Sequence, residues 1–135
     1  MLTVEKILDR ENENIVLQVD ENSPMTLLIK VKNDCFIGEE SIYFDNQSLL
    51  KFESDLQKCV NGEKNSVYVK DTDSVDYYLS LVKETQNSVI IKGKIGDYTE
   101  QSLEFYFDNC KFDPCELETR LLKIVDMIKS ISNLN

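Results

Sequence analysis

Apolar and polar residues alternate with a period of two along much of the chain, and twice the spacing lengthens to that of a helix. The pattern is sharpest near the C-terminus. Leu103, Phe105 and Phe107 alternate with Glu104, Tyr106 and Asp108, which predicts a half-buried strand. Asp113 then stands where a helix N-cap belongs, with Pro114 at the first helical position and Glu116 at the third. Leu117, Leu121, Ile124, Ile128 and Ile131 follow as one apolar stripe.

The same reading applies upstream. Residues 1–24 are an acidic opening in which Met1 to Leu8 form a short strand or a turn. Ile15, Leu17 and Val19 share one face of a strand, Glu21 to Pro24 form a turn, and Thr26 to Lys32 turn Leu27, Ile29 and Val31 inward. Residues 35–44 are extended, with Gly38 predicting a bulge or bend. Asp45, Asn46 or Ser48 caps a helix carrying Leu49, Phe52, Leu56, Cys59 and Val60 on one face, and Asn61-Gly62 ends it. Four strands follow: Ser66–Lys70, Tyr77–Lys83, Ser88–Ile95 and Ser102–Asp108. Their links are too short for a parallel crossover, so they form an antiparallel meander. The expected fold is α+β: one antiparallel sheet of about six or seven strands with two amphipathic helices packed on one face.

A length of 135 residues fits one domain over 1–135. With 25 acids against 15 bases the net charge is −10, a surface that a nucleic-acid backbone repels and that suits a basic partner. Solubility alone also accounts for that charge. The N-terminus lacks the pattern of a signal peptide, and no window is apolar enough to span a membrane, so a cytoplasmic protein is expected.

The chemistry is sparse. Without histidine there is no Ser-His, Cys-His or His-metal site, and the four glycines are too scattered for a phosphate loop. Cys110 and Cys115 have a spacing that zinc could use, but Cys35 and Cys59 stand alone, so the four are read as thiols. The string Asp71 to Asp76 lacks the glycine and the final glutamate of a calcium loop. The reading is therefore of a non-enzyme without cofactor or metal. Tyr68, Tyr78 and Tyr106 fall on the outward faces of their strands, where they would form an aromatic patch near Glu104, Asp108 and Asp76. The residues singled out for partner binding are Glu39 and Glu40, the loop acids Asp71, Asp73 and Asp76, and Tyr78 and Tyr106 as anchors.

Several segments together carry a resemblance. Phe36-Ile-Gly38 precedes the capped helix with Leu49, Phe52 and Leu56; Ser66-Val-Tyr-Val, Val89-Ile-Ile-Lys-Gly93 and Leu103-Glu-Phe-Tyr-Phe107 follow, and a striped helix closes the chain. Over residues 26–131 this order resembles the WapI-like immunity proteins found beside polymorphic or contact-dependent bacterial toxins. The resemblance implies an antitoxin: a non-enzymatic inhibitor that binds one cognate toxin domain, such as a nuclease, and occludes it. The alternative is a small intracellular ligand-binding or regulatory module using the groove between sheet and helices.

Overall fold

Among the described residues eight strands and two helices form, but the strands divide into two sheets rather than one. A computed structural model describes residues 2–34, 36–72, 77–96 and 102–132. The first sheet is the meander β1 (Leu2–Arg10), β2 (Glu13–Asp20), β3 (Thr26–Lys32) and β4 (Ile37–Tyr43). The helix α1 (Asn46–Val60) leads to the second meander: β5 (Ser66–Lys70), β6 (Tyr78–Thr85), β7 (Ser88–Gly96) and β8 (Ser102–Lys111). The chain closes with α2 (Glu116–Ile131). All six strand pairings are antiparallel.

The expected single sheet fails at the α1 connection. Strand periodicity fixes which residues face inward, but a helical link leaves the choice of neighbour open. Here β4 and β5 do not pair, and both sheets turn their apolar rows toward one shared core. Ile15, Leu17, Leu27, Ile29 and Ile42 come from the first sheet; Val67, Leu79, Ile91, Ile95 and Phe107 come from the second. The helices serve both sheets: α1 packs on β5 and on α2, while α2 packs on β1 and β2. Leu117 and Leu121 of α2 also meet Val67, Leu81 and Val89 across a small internal gap.

Gly38 is not a bulge, since the β3–β4 register runs through it unbroken. It is where β4 meets the second sheet: a Cβ there would lie 2.9 Å from Ile95 Cδ1 and 3.4 Å from Leu103 Cδ1. The bulges lie elsewhere. On β1 the partners step from Lys6↔Val16 to Leu8↔Ile15, which leaves Ile7 as the extra residue. On β8 two residues, Asp108 and Asn109, oppose the single Ile90 of β7, with Asn109 at φ 55°. An extra residue reverses the in–out parity of the rest of its strand. Leu8 and Arg10 thereby join the inner side of β1, which odd-numbered residues occupy before the bulge.

Both helix stripes are largely as expected, except that Val60 is exposed and Asp55 buried on α1, while on α2 Glu118 is buried and Ile131 only half-buried. Asp45 caps α1 through a reciprocal pair of bonds with Ser48. The cap of α2 differs from the expected one. Asp113 and Pro114 belong to a turn closed by Glu116 N–H donating to the Asp113 carbonyl at 3.0 Å. Cys115 is the N-cap, left-handed at φ 63° and with no side-chain capping bond. The Thr119 hydroxyl and amide both donate to its carbonyl instead, at 2.8 and 3.1 Å.

Candidate binding face

The second sheet uses one side for the core and leaves the other open. Its register brings outward residues into two rows, Tyr68–Ser80–Lys92–Tyr106 and Lys70–Tyr78–Lys94–Glu104. Tyr68 and Tyr78 sit diagonally across β5 and β6 with rings 5.4 Å apart and 25° from parallel. Such a pair is worth about 0.5–1.5 kcal/mol beyond the area it buries. Ser80 is buried although it faces outward, in the row between Tyr68 and Lys92. Tyr106 stands at 61% exposure on β8 and Tyr68 at 53% on β5, far more than a core-facing aromatic keeps.

Behind the face, Gly93 is required. A Cβ there would fall against the Tyr78 carbonyl oxygen and 2.6 Å from the Phe105 ring, so β6, β7 and β8 close tightly on this point. The positions of Tyr78 and Tyr106 relative to each other are set by that approach.

The structure thus brings Tyr78 and Tyr106 onto one face with Tyr68, as their strand parity predicts. It does not bring Asp71, Glu39 or Glu40 there. Asp71 is buried at 7% exposure, immediately after β5. Its carboxylate accepts from the Tyr43 amide at 3.1 Å, and its own amide donates to the Tyr77 carbonyl. Next to it, the Thr72 amide donates to the Tyr43 carbonyl at 2.9 Å, and the Thr72 hydroxyl accepts from the Asp45 amide at 3.2 Å. This segment ties the end of β5 to the β4–α1 corner. An acid that satisfies a backbone amide at a strand end has a structural use, and a charge count does not reveal it. Asp73 and Asp76 lie outside the described residues.

Glu39 and Glu40 are adjacent in sequence and opposite in space. Glu39 faces out from the first sheet, 4.0 Å from Lys30. Glu40 shares the inward parity of Gly38 and Ile42, and its Oε2 and the Tyr77 hydroxyl lie where a Cβ on Gly96 would meet them at 2.6 and 2.8 Å.

What sequence reasoning missed on this face is its lysines. Lys70, Lys92 and Lys94 interleave with the three tyrosines, and none has an ion pair among the described residues. The signal was available: Lys70 lies two residues after Tyr68, and Lys92 and Lys94 share one parity. Glu104 and Asp108 occupy the β8 edge, so the face of a strongly acidic chain is locally basic.

The other chemical groups are internally engaged. Lys83 and Glu118 form an ion pair at 2.9 Å beside Cys59, at the rim of a cavity of about 330 Å³. Burial alone would lower Lys83, but the hydrogen bond and charge of Glu118 outweigh it and raise its pKa. Burial pushes the Cys59 and Cys110 thiols up, away from the reactive thiolate. Cys59, Cys110 and Cys115 are free thiols, and Cys35 lies outside the described residues. No group of three or more Cys, Asp or Glu among the described residues is placed to hold a metal ion. No helix among them is long and apolar enough to cross a membrane. Comparison with protein-family models, with curated proteins and with solved structures finds no match for the chain.

Proposed function

We propose that this chain is an immunity protein: a non-catalytic inhibitor that binds a cognate bacterial toxin domain and occludes it, using the open face of β5–β8. The observation that carries this reading is the exposed Tyr68 and Tyr106, with the half-buried Tyr78 stacked on Tyr68, on a sheet whose other side is core. Tyrosine combines contact area with a polar tip and few rotatable bonds, so it loses little entropy when a partner covers it. The net charge of −10 favours encounter with a basic toxin at long range, and the lysines on the face then meet carboxylates at contact.

The test is co-expression with the open reading frame immediately upstream. That neighbour expressed alone stops growth, and this chain restores it. A folded variant carrying Tyr68→Ala and Tyr106→Ala loses the rescue, because buried aromatic anchors carry at least about 2 kcal/mol each. Rescue that survives both substitutions moves the contact to another surface. A harmless neighbour, or one that kills regardless, removes the immunity reading itself.

A further inference from the structure

The second feature with binding chemistry lies away from the tyrosine face, in a cleft of about 580 Å³ where β1 passes the end of β8 and the start of α2. In a chain whose acids outnumber its bases 25 to 15, the lining reverses the balance. Lys6, Arg10, Lys111 and Arg120 face it, against the carboxylates Asp9 and Glu116. The half-buried Phe112 supplies apolar wall, with the buried Ile7 and Leu8 behind it.

Two irregularities frame this cleft, the bulge at Ile7 on β1 and the bulge at Asp108–Asn109 on β8. Without the first, Arg10 would point out of the first sheet. With it, the guanidinium lies 5.9 Å from the centre of the Phe107 ring and donates through Nη1 to the Asp108 carbonyl at 2.8 Å. Its Nη2 lies 2.9 Å from Glu13. Its Nε is buried and has no hydrogen-bond partner among the described residues. A buried donor of this kind stays unsatisfied unless an acceptor reaches it. On the opposite wall Arg120 donates to the Lys6 carbonyl at 2.6 Å and lies 3.6 Å from Glu116. Both guanidinium planes are therefore held in place while retaining further N–H donors, and Lys111 has no ion pair among the described residues.

From this geometry we propose that the cleft binds a small organic phosphate. A single carboxylate is satisfied by one guanidinium fork. Lys6 lies 3.8 Å from Asp9, so three of the four cations already meet a carboxylate. Lys111 and the spare guanidinium N–H groups on two walls are what a phosphate with three acceptor oxygens would engage, and the apolar wall suits an organic remainder. The volume lies within the range of roughly 300–1,000 Å³ typical of small-molecule sites. This site does not depend on the inhibitor reading, because its lining includes none of the tyrosines or lysines of that face.

Titration of the ¹⁵N-labelled full chain with phenyl phosphate and with inorganic phosphate, at low salt, tests it. Phenyl phosphate is expected to give saturable shifts at residues 6–10 and 109–112 and to bind several-fold more tightly than inorganic phosphate. Lys111→Gln is expected to weaken it at least about tenfold, as loss of one charge-assisted contact does. Arg120→Lys should weaken it as well, since the ammonium keeps the charge and loses the fork. Lys111 is the safer position, because Arg120 also clamps β1. Lys92→Gln on the tyrosine face is expected to leave binding unchanged. No saturation by about 10 mM of either probe overturns the site. So does an equal loss from Lys92→Gln and Lys111→Gln, which would mean that the anion reads total charge. Equal binding of the two probes overturns the organic class of ligand.

Discussion

Asp55 occupies a position that the apolar stripe of α1 would give to a hydrophobic residue. Its carboxylate is held by Lys51 at 2.9 Å and Lys64 at 2.8 Å. Burial alone would raise its pKa, but the hydrogen bonds and charges of the two lysines outweigh that and hold it below the ordinary 3.8. A carboxyl depressed in the folded state contributes stability that is present above the unfolded value and lost as pH falls through the folded one. The urea midpoint of the wild type should therefore drop more between about pH 6 and pH 3 than that of Asp55→Asn. Parallel decline in the two proteins would show that the lysine pair contributes nothing through this carboxyl. Asp71 makes the contrasting case, since its carboxylate accepts from the backbone amide of Tyr43. Identical residue types thus do different work, and the composition that counts them as equal acids cannot separate them.

At the level of elements, the start of α2 offers the clearest test. Cys115 adopts a left-handed conformation that costs a residue with a Cβ roughly 1–2 kcal/mol, and its side chain makes no capping bond in return. Cys115→Gly should stabilise the fold by about 0.5–1 kcal/mol, the larger entropy of the unfolded glycine offsetting part of the relief. A raised urea midpoint with unchanged slope is the expected result; a lowered midpoint would mean that the thiol's packing outweighs the strain. The sequence led to a different cap because Asp113 and Pro114 have the right chemistry two residues too early, and a turn absorbs both. Elsewhere the elements were legible. β3 and β5 have the boundaries that their alternation predicts, and Asp45 caps α1 as its side chain permits. The bulges were not legible. Nothing at Ile7 distinguishes an extra residue from an ordinary inward one, and so Arg10 could not be placed. The tyrosine face and its lysines both follow from strand parity, and the cross-strand register shows how they interleave.

For the whole molecule, the partition into two sheets follows the order of the chain. Everything before Asn61 builds β1–β4 and α1; everything after it builds β5–β8 and α2. Hydrogen-bonded pairing within each sheet never crosses that point. The helices do cross it, because α2 packs against β1 and β2, and α1 packs against β5. Each half therefore carries a complete meander but depends on the other half's helix to cover apolar residues. A backbone break between Gly62 and Ser66 should yield two fragments that aggregate or stay unstructured when made separately and reassociate when made together. Recovery of native circular dichroism on mixing would confirm the mutual dependence; a folded fragment on its own would refute it. A chain organised in this way is a natural split protein, and its two pieces, fused to separate baits, would report proximity between them by folding.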